Sequence, residues 1–286
     1  MDRSGVSAVK FKAEDMGHTF SVNKLRVDKE KLLLGFIAIT VLLYFTIIII
    51  PIVSIIRTAG LVNTLFSLKS IESLSAIGIS LITTTLSLIL TFVLGTPVVF
   101  ILMNNKKSVF TKLLDMVVNV PAVLPPAVAG IGLLLMFGRN GFIGKLLEGI
   151  GIEVVFTPIA VILAQFFVAS GLYIKVLKTA TDAIEPEILE ITYVMGAGKI
   201  ETFLKIVIPM IKKPIVVGLV LSWTRALGEF GATIMFAGNI MGKTRTMPLE
   251  IYTLMQTDIS QAAALATILF LITFIMLFIT KIWLGE

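Results

Sequence analysis

Glu185-Pro-Glu-Ile-Leu-Glu-Ile-Thr-Tyr-Val-Met-Gly-Ala-Gly-Lys-Ile-Glu-Thr-Phe-Leu-Lys-Ile-Val-Ile-Pro209 is the only long polar segment with helical punctuation between the hydrophobic runs of this 286-residue chain. Pro186 suits the first turn of a helix, where its missing N–H would be orphaned in any case, and Glu185, Glu187 and Glu190 complement the positive helix start. A helix is therefore expected up to about Met195, where Gly196-Ala-Gly198 supplies the backbone freedom for a stop. Lys199 to Val207 then reads as a second helix. The segment from about 185 to 209 is a bent helix pair lying outside the hydrophobic layer.

That layer follows from composition. With 57% hydrophobic and only 15% charged residues and a mean hydropathy of +1.01, the chain lies far outside the range of soluble domains. A hydrocarbon core about 30 Å thick takes roughly 20 apolar residues per helix. Such stretches recur at 32–56, 74–102, 113–137, 155–176, 214–236 and 260–281. The expected fold is an all-α polytopic membrane protein of six transmembrane helices, residues 32–286, behind an N-terminal tail, residues 1–31. Continuous apolar runs, rather than alternating ones, argue against a β-barrel.

The chain has no cysteine and a single histidine, His18, which excludes disulfides and thiolate chemistry and leaves no basis for a metal constellation. A net charge of +6 would suit nucleic acid until the charges are placed. With the N-terminus inside, the cytoplasmic segments hold the seven Lys/Arg of the tail, Lys106, Lys107, Lys112, Lys175, Lys178, Lys199, Lys205, Lys212, Lys213 and Lys281, seventeen of the 24. That bias puts both termini in the cytoplasm and makes the partner of the positive charge a cell membrane, not nucleic acid. The 185–209 segment then faces the cytoplasm.

Along the chain, the tail reads as a solvated arm, with an amphipathic surface helix as the alternative. It is not a cleavable signal peptide, because the apolar run behind it is too long and lacks a small-residue cleavage site. The second span is crowded with Ser80, Thr83, Thr84, Ser87, Thr91 and Gly95, which suit close helix packing or a polar path equally. The third carries Pro121, Pro125 and Pro126, which remove helix donors at membrane depth. Freed carbonyls there must be buried in protein or face water, so a broken helix points to a transport path, with a structural kink as the competitor.

The fifth span alone holds charges deep inside it, away from its ends, Arg225 and Glu229. Their spacing makes a compensating pair, either functional or a lock between helices. Ala237 to Thr244 superficially matches a relaxed phosphate loop. It follows a membrane helix rather than a strand and faces outward, so that reading fails. It is expected instead to be an external hairpin from Gly238 to Pro248, with Asn239, Lys243, Thr244 and Arg245 near the mouth of any path, where cations would attract an anion.

Two motifs carry a resemblance. Glu190-Ile-Thr192, Gly196-Ala197, Phe203 and Ile206-Val-Ile-Pro209 resemble the cytoplasmic loop of permease subunits of binding-protein-dependent ABC importers: Glu-Ala-Ala, three residues, Gly, nine residues, Ile-x-Leu-Pro. Here Ile191, Thr192 and Ile208 depart from the pattern. Arg225-Ala-Leu-Gly-Glu-Phe-Gly-Ala-Thr233, Ala237-Gly-Asn239, Gly242-x-Thr-x-Thr246, Pro248-Leu and Ile251-Tyr252 resemble molybdate/tungstate permeases, with sulfate/thiosulfate permeases as nearest relatives.

The resemblance implies a type I importer fold and a homodimer. It also implies two cytoplasmic ATPase subunits that bind ATP and magnesium, this chain binding no cofactor itself, and an extracytoplasmic oxyanion-binding protein. By the same resemblance Glu190, Thr192, Gly196, Ala197, Phe203 and Pro209 couple to the ATPase, and the chain is not an enzyme. Alternatives are a sulfate permease and an ion-driven transporter using Glu229, whose pairing with Arg225 makes it a poor proton carrier. An intramembrane hydrolase would need a base beside Ser222 or Ser80, and no histidine or lysine stands at a credible position.

Overall fold

The computed structural model describes the backbone of residues 4–106 and 108–285, and side chains from residue 31 onward within those ranges. The expectations for Lys107 and for the side chains of the tail, His18 included, fall outside the described residues. The chain divides into two units, residues 1–57 and 58–286. The first is helical from Ser4, as part of α1 (Ser4–Ser67), so the tail expected over 1–31 continues into the first span without a helix break. Its side chains from Leu32 to Ile50 are all exposed, as suits a helix in hydrocarbon. The helical φ/ψ of α1 is interrupted at Gly60, φ 63°.

The second unit continues with α2 (Ile71–Asn104), α3 (Val109–Val123), α4 (Pro126–Phe137), α5 (Phe142–Glu148), α6 (Pro158–Asp182), α7 (Pro186–Val194), α8 (Lys199–Thr202), α9 (Ile208–Met210), α10 (Lys212–Leu227), α11 (Gly231–Phe236), α12 (Met247–Met255) and α13 (Ile259–Leu284). Lys31–Ser67, α2, α6 and α13 are long and apolar enough to cross a membrane. The two remaining apolar stretches are broken. α3 and α4 meet at 116°, because Pro125 forces Leu124 into an extended conformation (φ −74°, ψ 127°) and Pro126 fits only the first turn of a new helix. The 214–236 stretch breaks at Gly228-Glu229-Phe230, between α10 and α11.

The unit is built on a seam between α2 and α6. Ser73, Ala76, Ser80, Thr84, Ser87, Thr91 and Gly95 recur every three or four residues along α2 and are buried, and α6 answers with buried Ala160, Ala164, Val168 and Ala169. Lipid gives helices no hydrophobic drive to associate, so close van der Waals contact between small residues takes that place. The hydroxyl-rich second span is therefore spent on packing. At the end that carries α7 and α8, Val99, Leu102, Met103, Tyr173, Ile174, Leu177, Phe203, Val207 and Ile211 form one core. Leu133, Ala160, Val161, Ala164, Val168, Ala232, Phe236 and Ala237 form the core toward the other end. Asp258 caps α13 by accepting the Ser260 and Gln261 amides at 2.9 and 3.2 Å. The Gln261 and Ser260 N–H groups hold its carboxyl below the usual carboxylate range.

Candidate functional site

Two assemblies stand out in the second unit, an exposed elbow at one end and a pair of facing helix breaks inside it. The elbow is α7 and α8. Pro186 occupies the first turn of α7, as expected, and the helix stops where Gly196 takes φ 87°, a left-handed conformation that costs glycine nothing. The stop is a Schellman-type closure: the Ala197 amide donates to the Thr192 carbonyl at 3.0 Å, and the Gly196 amide to Tyr193 at 3.0 Å.

The coupling positions divide by where they face. Thr192 donates its hydroxyl to the Leu189 carbonyl at 2.7 Å and lies 3.3 Å from the Thr202 hydroxyl, so it holds α7 against α8. Phe203 is buried, and its ring meets Phe100 of α2 edge-on with centroids 5.1 Å apart. Residues 203–207 form a π-helical turn in which the Ile208 amide reaches the Phe203 carbonyl. Pro209, with no amide to offer, follows directly. These residues anchor the elbow to the core.

Glu190 and Gly196 face out. Beside them Ile191, Val194 and Met195 are exposed by 60%, 88% and 81%, an apolar knob that a polar loop would not keep without a protein partner. Sequence reasoning treated Ile191 only as a departure from a motif. The i, i+3, i+4 spacing of the three was the available signal.

The second assembly is where the broken helices meet. Pro126, at the start of α4, abuts Gly231, at the start of α11: a Cβ on Gly231 would stand 3.0 Å from Pro126 Cβ. One turn on, a Cβ on Gly130 would lie 2.6 Å from the Ala232 carbonyl oxygen, so α4 and α11 touch backbone to backbone. Pro125 and Pro126 thus lie at one junction with the Arg225–Glu229 break. Pro121 lies back along α3 and takes no part in this contact.

Arg225 and Glu229 pair as the spacing predicted, Nη1 to Oε2 at 2.8 Å. They do not share one helix, because α10 ends at Leu227. Glu229 is buried, 1% exposed, and its second oxygen accepts the Ala232 amide at 2.8 Å, fastening the start of α11. Arg225 is 37% exposed. Each carboxylate oxygen of Glu229 thus has one partner within the fold. The hydroxyls considered for a hydrolase are also engaged: Ser222 donates to the Ala169 carbonyl at 3.0 Å, and Ser80 accepts the Met247 amide at 2.7 Å. Gln165, which no sequence pattern marked, is fully buried between α2 and α6 and donates to Thr84 at 3.2 Å.

The loop after α11 departs from the external hairpin expected of it. A tight turn at 240–244 leads into α12, and the phosphate-loop lookalike joins two helices. Asn239 donates to Thr253 at 3.0 Å, Thr244 accepts the Ile240 amide at 3.1 Å, and Arg245 donates to Asn239 at 2.8 Å and to Glu250 at 3.1 Å. Glu250 is 3% exposed, so Arg245 is the counter-ion of a buried carboxylate rather than a free cation at a mouth. Lys243 is exposed. Next to this loop a cavity of about 290 Å³ is lined by Leu134, Phe137, Arg139, Glu148, Glu153 and Phe156.

Residues 95–283 match the family described as binding-protein-dependent transport system inner membrane component. The chain is 51% identical over 247 residues to the probable transport system permease protein NifC of Clostridium pasteurianum, covering 86% of each. It is 37% identical over 198 residues to the molybdenum transport system permease protein ModB of Mycobacterium tuberculosis, covering 69% of this chain and 75% of that one. Its fold is similar, with a TM-score of 0.71 and 18% identity, to a chain in the crystal structure of a bacterial ABC transporter involved in the import of the acidic polysaccharide alginate, over 88% of this chain and 95% of that one. At that identity the likeness bears on the fold alone.

Proposed function

Since the chain belongs to the binding-protein-dependent transport system inner membrane components, we propose that it is the membrane subunit of an ATP-driven importer for molybdate or tungstate. As a member of that family it is a non-catalytic permease component. Two copies form the path, two cytoplasmic ATPases bind ATP and magnesium, and an extracytoplasmic protein delivers the anion. Both termini lie in the cytoplasm. The observation that carries this reading is the elbow: an exposed apolar knob, Ile191, Val194 and Met195, beside Glu190, on a rigid pair of short helices rooted in the core. The oxyanion follows from the similarity to ModB, whose name specifies molybdenum.

The mechanism is a two-state equilibrium driven from outside the chain. ATPase closure displaces the knob. The displacement passes through Phe203 and Phe100 to α2, and through the π-helical turn to α10. Since α10 leads to the break that touches α4 at Pro126 and Gly130, a tilt of α10 shifts both broken spans together. Packed interfaces of this kind switch between discrete arrangements rather than stretch.

Reconstitution with the partner ATPase and binding protein tests the proposal. Molybdate uptake should require ATP, ignore imposed proton or sodium gradients and exceed sulfate uptake. Gradient-driven uptake without ATP would make this a secondary transporter, and preferential sulfate uptake would replace the substrate.

A further inference from the structure

Arg225 retains donors that the ion pair does not use. Its Nη1 serves Glu229, and among the described residues its Nε and Nη2 have no acceptor. Those two N–H groups lie on one edge of the planar guanidinium and point the same way, the fork that matches two oxygens of a carboxylate, phosphate or other oxyanion. Glu229 cannot swing to that edge, because its other oxygen is held by the Ala232 amide and the side chain is 1% exposed.

Arg225 stands on an open face, not in the core, with its side chain 37% exposed. Leu221, Arg225 and Gly228, spaced four and three residues apart, form the open stripe of α10, with Leu221 39% exposed. Arg225 is thirteen residues beyond Lys212, which at a rise of about 1.5 Å per residue puts it roughly 20 Å along a helix that starts among cytoplasmic lysines. A guanidinium edge at that depth does not face hydrocarbon. The helix ends two residues later, and such breaks survive at membrane depth only against protein or water.

We infer that the Nε–Nη2 edge of Arg225 is a transient station for the tetrahedral oxyanion in transit, and that Glu229 is a positioning residue that aims this edge into the path and cancels its charge. This rests on the oxyanion reading above. The balance of charge matters: an uncompensated arginine would hold a doubly charged anion and slow its release, whereas a path needs sites weak enough to leave. Arg225 paired with Glu229 is neutral overall, yet still offers two parallel N–H groups that match two oxygens of one anion better than a single spherical halide.

The test uses the whole transporter, reconstituted with its ATPase and binding protein, and reads molybdate moved per ATP together with binding-protein-stimulated ATP hydrolysis. Arg225→Gln should lower the anion-to-ATP ratio roughly tenfold or more, the scale for losing charged hydrogen bonds. Arg225→Lys should recover part of the ratio, since it keeps charge but not the fork. An unchanged ratio in Arg225→Gln would overturn the station.

If Arg225→Gln does not assemble, labelling decides instead. The chain has no cysteine, so Leu221→Cys gives a single reporter one turn from Arg225. A sulfonate thiol reagent should outpace a trimethylammonium reagent there by about threefold or more, and tungstate should slow both. Equal rates, insensitive to tungstate, would reject the station. A wild-type complex that moves no oxyanion but keeps the sulfonate preference and its tungstate sensitivity would leave the station intact and reject the substrate reading.

Discussion

Two arginine–glutamate pairs in this molecule use the same chemistry to opposite ends. Arg245 and Arg225 each meet a nearly buried carboxylate, at 3.1 and 2.8 Å. Arg245 is 19% exposed and spends Nε on Asn239 as well as Nη1 on Glu250, so the loop between α11 and α12 is locked to α12. Arg225 is 37% exposed and spends only Nη1. The difference lies in the number of donor edges left over, not in charge. A guanidinium with a donor spent on each of its edges is mortar, whereas one with an edge wholly unspent remains available to a passing ligand.

Breaking the locked pair should have the largest effect. Glu250→Ala strands Arg245 at a mostly buried site and should destabilise the protein by about 3–5 kcal/mol, the range for an orphaned buried charge. Thermal unfolding in detergent reads it, and a loss as small as that of the second pair would erase the contrast. Glu229→Ala should cost less, about 1–3 kcal/mol, because Arg225 can turn its charge toward the open stripe while only the Ala232 amide loses its partner. A cost equal to that of Glu250→Ala would mean that Arg225 is locked as well.

The elbow gives a third contrast, since its outward face makes no internal contact to lose. Glu190→Lys should leave unfolding of the permease unchanged and weaken its association with the ATPase about tenfold, the effect of a wrong charge at a contact. Retention of full affinity in a pull-down titration would remove Glu190 from the interface. Smallest of all, Lys243→Gln should slow uptake by no more than about twofold at low salt, with no difference at high salt, as expected for an exposed charge that only steers. A larger or salt-independent loss would turn the loop into a binding element.

Much of this architecture was legible along the chain. Six apolar stretches, the start of α7 at Pro186, its stop at Gly196 and the break at Pro125-Pro126 follow from propensities that act within a turn or two. The Arg225–Glu229 pair was legible from its spacing. That α10 ends between the two residues was not, since no proline lies there and only the amide of Ala232, in the next helix, accounts for the orientation of Glu229. The Arg245–Glu250 bond was equally hidden. Its five-residue separation crosses from a turn into α12 and matches no helical pairing rule.

The sequence alone determined that this is a helical membrane protein, where its elbow begins and ends, and which spans carry proline or charge. Each of these depends on hydropathy, backbone freedom or charge counted over a short window. Only the tertiary structure decided that the α3–α4 break sits against the α10–α11 break, through Pro126 on Gly231 and Gly130 on Ala232. It also decided which of two arginines keeps a free edge. The first depends on atoms about a hundred residues apart arriving within van der Waals contact, the second on partners brought together across a turn or a helix break, and no local pattern records either encounter.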